Sequence, residues 1–257
     1  MSDWARPEFR PGGGEAFVFL LAFGDIDIST PLGKTAYRSE GVPDGFELLQ
    51  FHRDRQSESY RDFLLDRAFR LAEKESPELA VSAREGPYCV LLRGLAHDPP
   101  TLDYLRASVG VVAYLVDRGA TVVFDPQIFQ FWDAATWKAT VFDPARPVPH
   151  EHVVILASPM NDAKLAGPVW YHTRGMRTFG RPDLSVKDVG PQWQLAVAEL
   201  FNRFIEHQAL GAVIPEGKTI RFGDLPPGGE CRHAGGADDP HFHNAHVELA
   251  WPRGALR

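Results

Sequence analysis

The chain has 257 residues, enough to bury a sizeable core as one large domain or two small, intimately packed ones. Hydrophobic residues make up 44% and charged residues 24%, the balance of a globular protein. The net charge of -7 argues against nucleic-acid binding through bulk positive charge. The longest apolar run, residues 16–23, is far too short to cross a bilayer, and the N-terminus carries no signal-peptide pattern.

Residues 1–14, rich in Pro and Gly and without an apolar period, read as a flexible N-terminal tail. Residues 16–23 then form a continuous apolar run ending at Gly24, the pattern of a strand covered on both faces. Residues 46–52 are a second strand candidate. From Ser57 the period turns helical, with Tyr60, Phe63, Leu64, Ala68 and Leu71 on one face and Pro77 as the stop. Residues 88–92 suggest a third strand. Asp98, followed by Pro99, has the form of a helix start, and Leu102, Leu105, Val109, Val112, Ala113 and Val116 carry an apolar stripe to Gly119. A strand over 120–125 follows at once, which is the spacing of a βαβ crossover, right-handed if its strands are parallel. Residues 129–142, with Trp132, Trp137 and two Phe, suggest a short aromatic helix lying over the sheet. Three prolines in residues 143–149 make a connector.

In the second half, His150-Glu151-His152 heads a strand at 153–157, and a strand at 169–173 enters a loop carrying Arg174, Arg177 and Arg181. A long amphipathic helix is expected over 191–210, with Trp193, Val197, Leu200, Phe201 and Phe204 as its buried stripe. Short segments at 218–222 and 246–251 complete the set. The fold class expected is α+β, a mixed sheet with helices packed on it and one βαβ unit. Residues 15–257 are expected as a single domain or as two intimately packed halves, 15–143 and 150–257.

The segment Thr173 to Leu184, with its T-R-G-M-x-x-F-G core, and the stretches 110–114 and 120–126 resemble a bacterial domain family of unknown function. The likeness spans residues 85–210. It implies a cytoplasmic bacterial context and an α+β fold, and it implies no reaction. The cysteine usage, two residues without metal-type spacing, also fits a reducing, cytoplasmic setting.

Three groups of residues could carry chemistry. The first is the loop with His172, Arg174, Arg177 and Arg181, joined by Lys187. Guanidinium groups take carboxylate or phosphate bidentately, and Gly175 and Gly180 would let backbone N–H groups approach an anion. The bland alternative is that these arginines pair with Asp183 and Asp188. The second group is Cys231, His233, Asp239, His241, His243 and His246, which offers enough imidazole, carboxylate and thiolate for zinc or another divalent metal, though in no standard zinc spacing. The third is His150 with His152, a short H-x-H pair. No G-x-S-x-G elbow, Cys/His motif or Walker glycine pattern is present. Two functions follow as expectations: a non-catalytic module presenting the arginine loop to a small anion or a partner protein, or a metal-dependent hydrolase using the C-terminal histidines. The lack of a nucleophile and of metal spacing favours the first.

Overall fold

The computed structural model describes residues 4–55, 57–159 and 168–257; the side chains of Ser57, Ser59, Phe63 and Leu65 lie outside the description. The expected place of Phe63 on a buried helix face therefore falls outside the described residues. The fold is α+β. The chain divides into two compact units: Phe17–Val148 together with Trp4 and Ala5, and Pro149–Arg257 together with Arg6–Ala16.

The elements of the first unit are β1 (Glu15–Gly24, from Phe17 onward in this unit), α1 (Lys34–Tyr37), β2 (Phe46–His52), α2 (Ser57–Leu65), α3 (Arg67–Glu75), α4 (Pro77–Glu85), β3 (Tyr88–His97), α5 (Asp103–Asp117), β4 (Ala120–Asp125), β5 (Gln130–Asp133) and α6 (Ala134–Trp137). The strands lie in the order β2-β3-β1-β4-β5. The apolar run of β1 is central, and its alternate side chains enter two different cores. Leu21 and Phe23 pack with Tyr60, Phe69, Ala72 and Ala83 from α2 to α4, whereas Ala22 joins Val90, Tyr114 and Leu115 on the α5 side. A strand covered on both faces needs no polar alternation, which is why its sequence is continuously apolar.

The single helix expected from Ser57 is three. Asp66 accepts from the Ala68 N–H to cap α3, and Pro77 stands in the first turn of α4 instead of ending the run. The α5 start also differs. Strand β3 continues to His97, so Asp98, at φ 31°, belongs to the turn leaving it, and the helix begins at Asp103. Leu102, Leu105, Val109, Val112 and Ala113 are buried, as are Val111, Tyr114 and Leu115. Gly119 ends the helix region at φ 110°, where a Cβ would fall on the Asp25 carbonyl. The β3–α5–β4 connection passes over β1, which separates the two strands in the sheet. The aromatic stretch at 129–142 opens as a strand instead of a helix. Phe131 faces Phe124 across the β4–β5 hairpin, their rings stacked at 4.5 Å, before α6 and a π-helical turn over Lys138–Phe142.

The second unit contains β6 (Val154–Pro159), β7 (Val169–Arg174), β8 (Asp183–Val189), α7 (Gln194–Ala209), β9 (Thr219–Ile220), β10 (Gly229–Gly236) and β11 (Asn244–Ala250). Its strands run in the order β6-β7-β8-β11-β10-β9, all neighbours antiparallel except β8 and β11. Helix α7 covers one face, burying Val197, Leu200 and Phe201 against Leu184, Val186, Cys231, Val247 and Leu249, with Trp193 and Phe204 half-buried beside them. Pro191–Trp193 is a 3-10 turn, so the helix is shorter at its start than the pattern suggested.

Residues 4–14, expected as a flexible tail, are docked. Trp4 is buried and its carbonyl accepts from Leu102 N–H, while Ala5 bridges Thr101. In the second unit Glu8 N–H donates to Leu210 O, Arg10 N–H to Gly211 O, and Gly14 N–H to Gly180 O. An aperiodic segment stays ordered here because its backbone groups find partners at turns remote in sequence.

Candidate functional site

Strand β8, absent from the sequence reading, decides where the arginine loop lies. After Arg174, Met176–Phe179 forms a 3-10 turn, bracketed by Gly175 at φ 109° and Gly180 at φ 61°, and β8 follows. The chain runs the length of that strand before the helix starts, and the C-terminal end of α7 is the end that meets the loop.

Arg181 makes this junction. It is 2% exposed, and its guanidinium donates to Ala212 O at 3.0 Å, Gly211 O at 2.8 Å, Gly180 O at 2.9 Å and Arg10 O at 3.3 Å. The last carbonyls of α7 are taken by main-chain N–H groups, those of Glu206, His207 and Gln208 by Leu210, Ala212 and Gly211, and Arg181 instead bonds the carbonyls of the turn that follows the helix, where a cation complements the negative end of the dipole. Arg181 is thus a buried group that ties this turn to the loop. Asp188 lies 3.4 Å from Arg257.

Arg174 and Arg177 are different. Arg174 donates to the carbonyl of His241, and Arg177 to that of His243 at 3.1 Å, both at the surface. Each carbonyl orients the guanidinium that bonds it. The arginine loop and the C-terminal histidine segment, two separate candidates in the sequence, are therefore one place in the fold.

Between them lies a stack of rings. Strand alternation puts Trp170, His172 and Arg174 on one face of β7. Trp170 stacks on His172 at 4.1 Å between centroids, and Phe242 meets the edges of both at 6.1 and 5.7 Å. Phe242 in turn stacks on His246 at 4.2 Å, and His241 stands edge-on to Trp170 at 5.4 Å. Trp170 Nε1 donates to Ser185 Oγ at 2.9 Å, below the stack. Asp183, paired with His246 in the β8–β11 register, accepts from Thr173 Oγ1 at 2.9 Å, Asn244 Nδ2 at 2.8 Å and Met176 N–H at 3.3 Å.

The electrostatics follow from burial. Burial, helped by the charges of Arg174 and His241 and opposed by the Trp170 backbone, brings His172 down to about 4, so it is neutral at pH 7. Its Nδ1 has no well-directed hydrogen-bond partner. His246 is lowered too, by burial first, against the opposing charges of Asp239 and Glu248; its Nδ1 stands 3.7 Å from Asp239 Oδ2, too far for a hydrogen bond. Burial lifts Asp183 to about 6, outweighing its three hydrogen bonds and Arg174. For Asp239 burial pushes upward as well, but the Phe242 and His241 N–H groups and the His246 and His241 imidazoles win and hold it below its ordinary value.

The remaining metal candidates diverge. Cys231 is fully buried opposite Leu249, on the α7 side of the sheet, and burial first raises its thiol to about 11. His233 shares that side and directs Nε2 to Ile214 O at 2.8 Å. His172 and His246 belong to the other face, because β10 and β11 alternate and the register puts His233 opposite Val247. His243 takes φ 52° in the turn. Among the described residues no three His, Cys, Asp or Glu side chains converge on a metal-sized point. His150 and His152 also part. His150 Nε2 lies 3.4 Å from Glu206 in a groove lined by Glu199, Asn202, Arg203 and Phe222. His152 is buried edge-on to Phe179 and brought down to about 4 by burial. Lys187 pairs with Glu248 at 3.1 Å.

Trp170, Phe242, Asp183, Ser185 and Asn244 were not chosen from the sequence. The alternation Trp170-x-His172-x-Arg174 on a strand was the available signal for the first of these. No known protein family, curated protein or solved structure matches the chain. No described helix is long and apolar enough to cross a membrane.

Proposed function

We propose that the protein is a non-catalytic binding module that receives an anionic group, a carboxylate or phosphate, of a small molecule or partner protein at Arg174 and Arg177. The observation that carries this is their anchoring. Each guanidinium is held at the surface by a main-chain carbonyl of the 241–243 segment, which fixes the position of a group able to take an anion bidentately. Arg181, by contrast, is buried and bonds the carbonyls of the turn after α7. The neutral imidazole of His172 beside Arg174 leaves hydrogen-bonding capacity without adding charge.

Two buried, free cysteines suit a reducing, cytoplasmic setting. The resemblance of residues 173–184 to a bacterial domain family fits this context and brings no reaction with it. The hydrolase alternative gains no observation, since Cys231 and His233 lie on the opposite side of the sheet from His172 and His246.

Calorimetric titration with inorganic phosphate tests the reading. Saturable binding should appear in the wild type and fall at least about tenfold in Arg174→Gln plus Arg177→Gln, equivalent to about 1.4 kcal/mol. Equal binding in both proteins would refute it.

A further inference from the structure

The outer face of α7 carries its charges in a set order. Glu199, Asn202, Arg203 and Glu206 recur at the three- and four-residue spacing of one helix face, opposite the buried stripe of Val197, Leu200 and Phe201. At 1.5 Å per residue, Arg203 stands about 6 Å beyond Glu199 along the axis, and Glu206 about 4.5 Å further on. His150, in the 3-10 turn Pro149–Glu151, adds an imidazole with Nε2 3.4 Å from Glu206 Oε1, and the half-buried ring of Phe222 joins the wall. Together they line a groove of about 570 Å³, inside the range of about 300–1,000 Å³ that small-molecule sites occupy.

A solvated helix face of this composition ordinarily closes on itself. Glutamate four residues before arginine is the favourable order for an ion pair, and Arg203 could equally meet Glu206 three residues on. Neither pair forms. Among the described residues the side chains of Glu199 and Arg203 make no hydrogen bond or ion pair, and the Glu206 carboxylate meets His150. Two carboxylates and the guanidinium between them thus stay apart along an open groove, beside a ring that suits an aliphatic chain or a cation. Among the described residues no three metal-ligating side chains converge, so the charges match an organic ion and not a metal.

We propose that this groove is a second binding site, independent of Arg174 and Arg177, and that it takes a free amino acid with a cationic side chain. The class follows from matching charge to charge. Arg203 takes the ligand's carboxylate bidentately, and Glu199, one turn away, takes the α-ammonium group beside that carboxylate. Glu206, backed by His150, takes the side-chain cation, and Phe222 packs against the aliphatic chain between the two ends. A dicarboxylate would meet two like charges here, and a cation without a carboxylate would leave Arg203 unmatched. The groove therefore selects a zwitterion with one extra positive charge.

The test uses the full chain as wild type, Arg203→Met and Glu206→Gln, each titrated calorimetrically with L-lysine and with Nα-acetyl-L-lysine amide. The second probe keeps the cationic side chain and has neither a free carboxylate nor an α-ammonium group, as in a residue within a protein. L-Lysine should bind the wild type saturably and at least about tenfold more tightly than the blocked probe. Arg203→Met should remove most of that preference by weakening L-lysine alone, and Glu206→Gln should weaken L-lysine about fivefold. Both substituted side chains are exposed, so the fold is not at stake. No saturable binding of L-lysine, or an unchanged affinity for it in either variant, would overturn the proposal. Equal affinity of the wild type for both probes would point to a basic segment of a partner protein and overturn the amino-acid reading. None of these outcomes bears on phosphate at Arg174 and Arg177.

Discussion

Replacing Arg181 by Met keeps much of the side-chain volume and removes the guanidinium, so it isolates the hydrogen bonds to the turn after α7. Four carbonyls lose a donor, three of them at 3.0 Å or less. Gly211 O and Gly180 O keep backbone donors from Arg10 and Gly14, whereas Ala212 O has only Arg181 among the hydrogen bonds described here. Hydrogen bonds to a charged group contribute about 1.5–3 kcal/mol each, and the surviving partners place the first two at or below the lower end. Loss of the favourable cation at the helix C-terminus adds about 0.3–2 kcal/mol. The expected total is about 3–4 kcal/mol, or a fall in Tm on the order of 10 °C for a unit of this size. Thermal unfolding followed by near-ultraviolet circular dichroism reads this directly, with Arg177→Met as the surface comparison, expected within about 3 °C of wild type. If Arg181→Met melts with the wild type, or if the two variants lose equally, Arg181 does not hold the turn after α7 as described.

The other predictions address pH, thiol chemistry and the first core. His152 and His172, both at about 4 when folded against an ordinary 6.5, bind fewer protons in the folded state between those values, so stability falls as pH drops from 6.5 towards 4. Asp183, raised to about 6, binds more protons when folded and opposes that slope between pH 3.8 and 6. Urea unfolding across pH 4–6.5 should therefore show a slope that Asp183→Asn steepens and His152→Gln flattens; unchanged slopes would contradict the burial argument. Cys231, raised to about 11, and Cys89, raised still further by burial, should resist a thiol reagent at pH 8 and react once the chain is denatured. Fast native-state labelling of either would show the core assignment to be wrong. Val112→Asp places a charge at a position 1% exposed and should cost several kcal/mol, reaching a chain that fails to fold; unchanged unfolding would refute the face assigned to α5.

What the sequence revealed depended on how each element is stabilised. Strand β1 and helices α5 and α7 bury apolar stripes, and hydrophobic period reports such burial directly. Strands β8 and β10 escaped notice for different reasons. Along β8, Asp183, Ser185 and Lys187 alternate with the buried Leu184 and Val186, a half-buried strand's period that was legible beside the Arg/Gly loop, whereas β10 reads Gly-Glu-Cys-Arg-His-Ala-Gly-Gly and is held by neighbours on both sides through backbone bonds that no side chain announces. With β8 between loop and helix, the loop meets the C-terminal end of α7 and not its start. The buried state of Arg181 was equally silent, because its acceptors come from residues 10, 180, 211 and 212. The density of charged and aromatic residues at 170–183 and 239–246 did mark the right segments. Their meeting is set by the β7-β8-β11 strand order and by the Arg174 and Arg177 bonds to the turn.

The most direct measurement is a nuclear magnetic resonance titration of the arginine Nε–H signals with inorganic phosphate. The account predicts saturable shifts for Arg174 and Arg177 with a common midpoint and none for Arg181, whose donors are engaged on carbonyl oxygens inside the fold. Shifts at Arg181 alone, or at arginines remote from the turn with Arg174 and Arg177 unmoved, would contradict it.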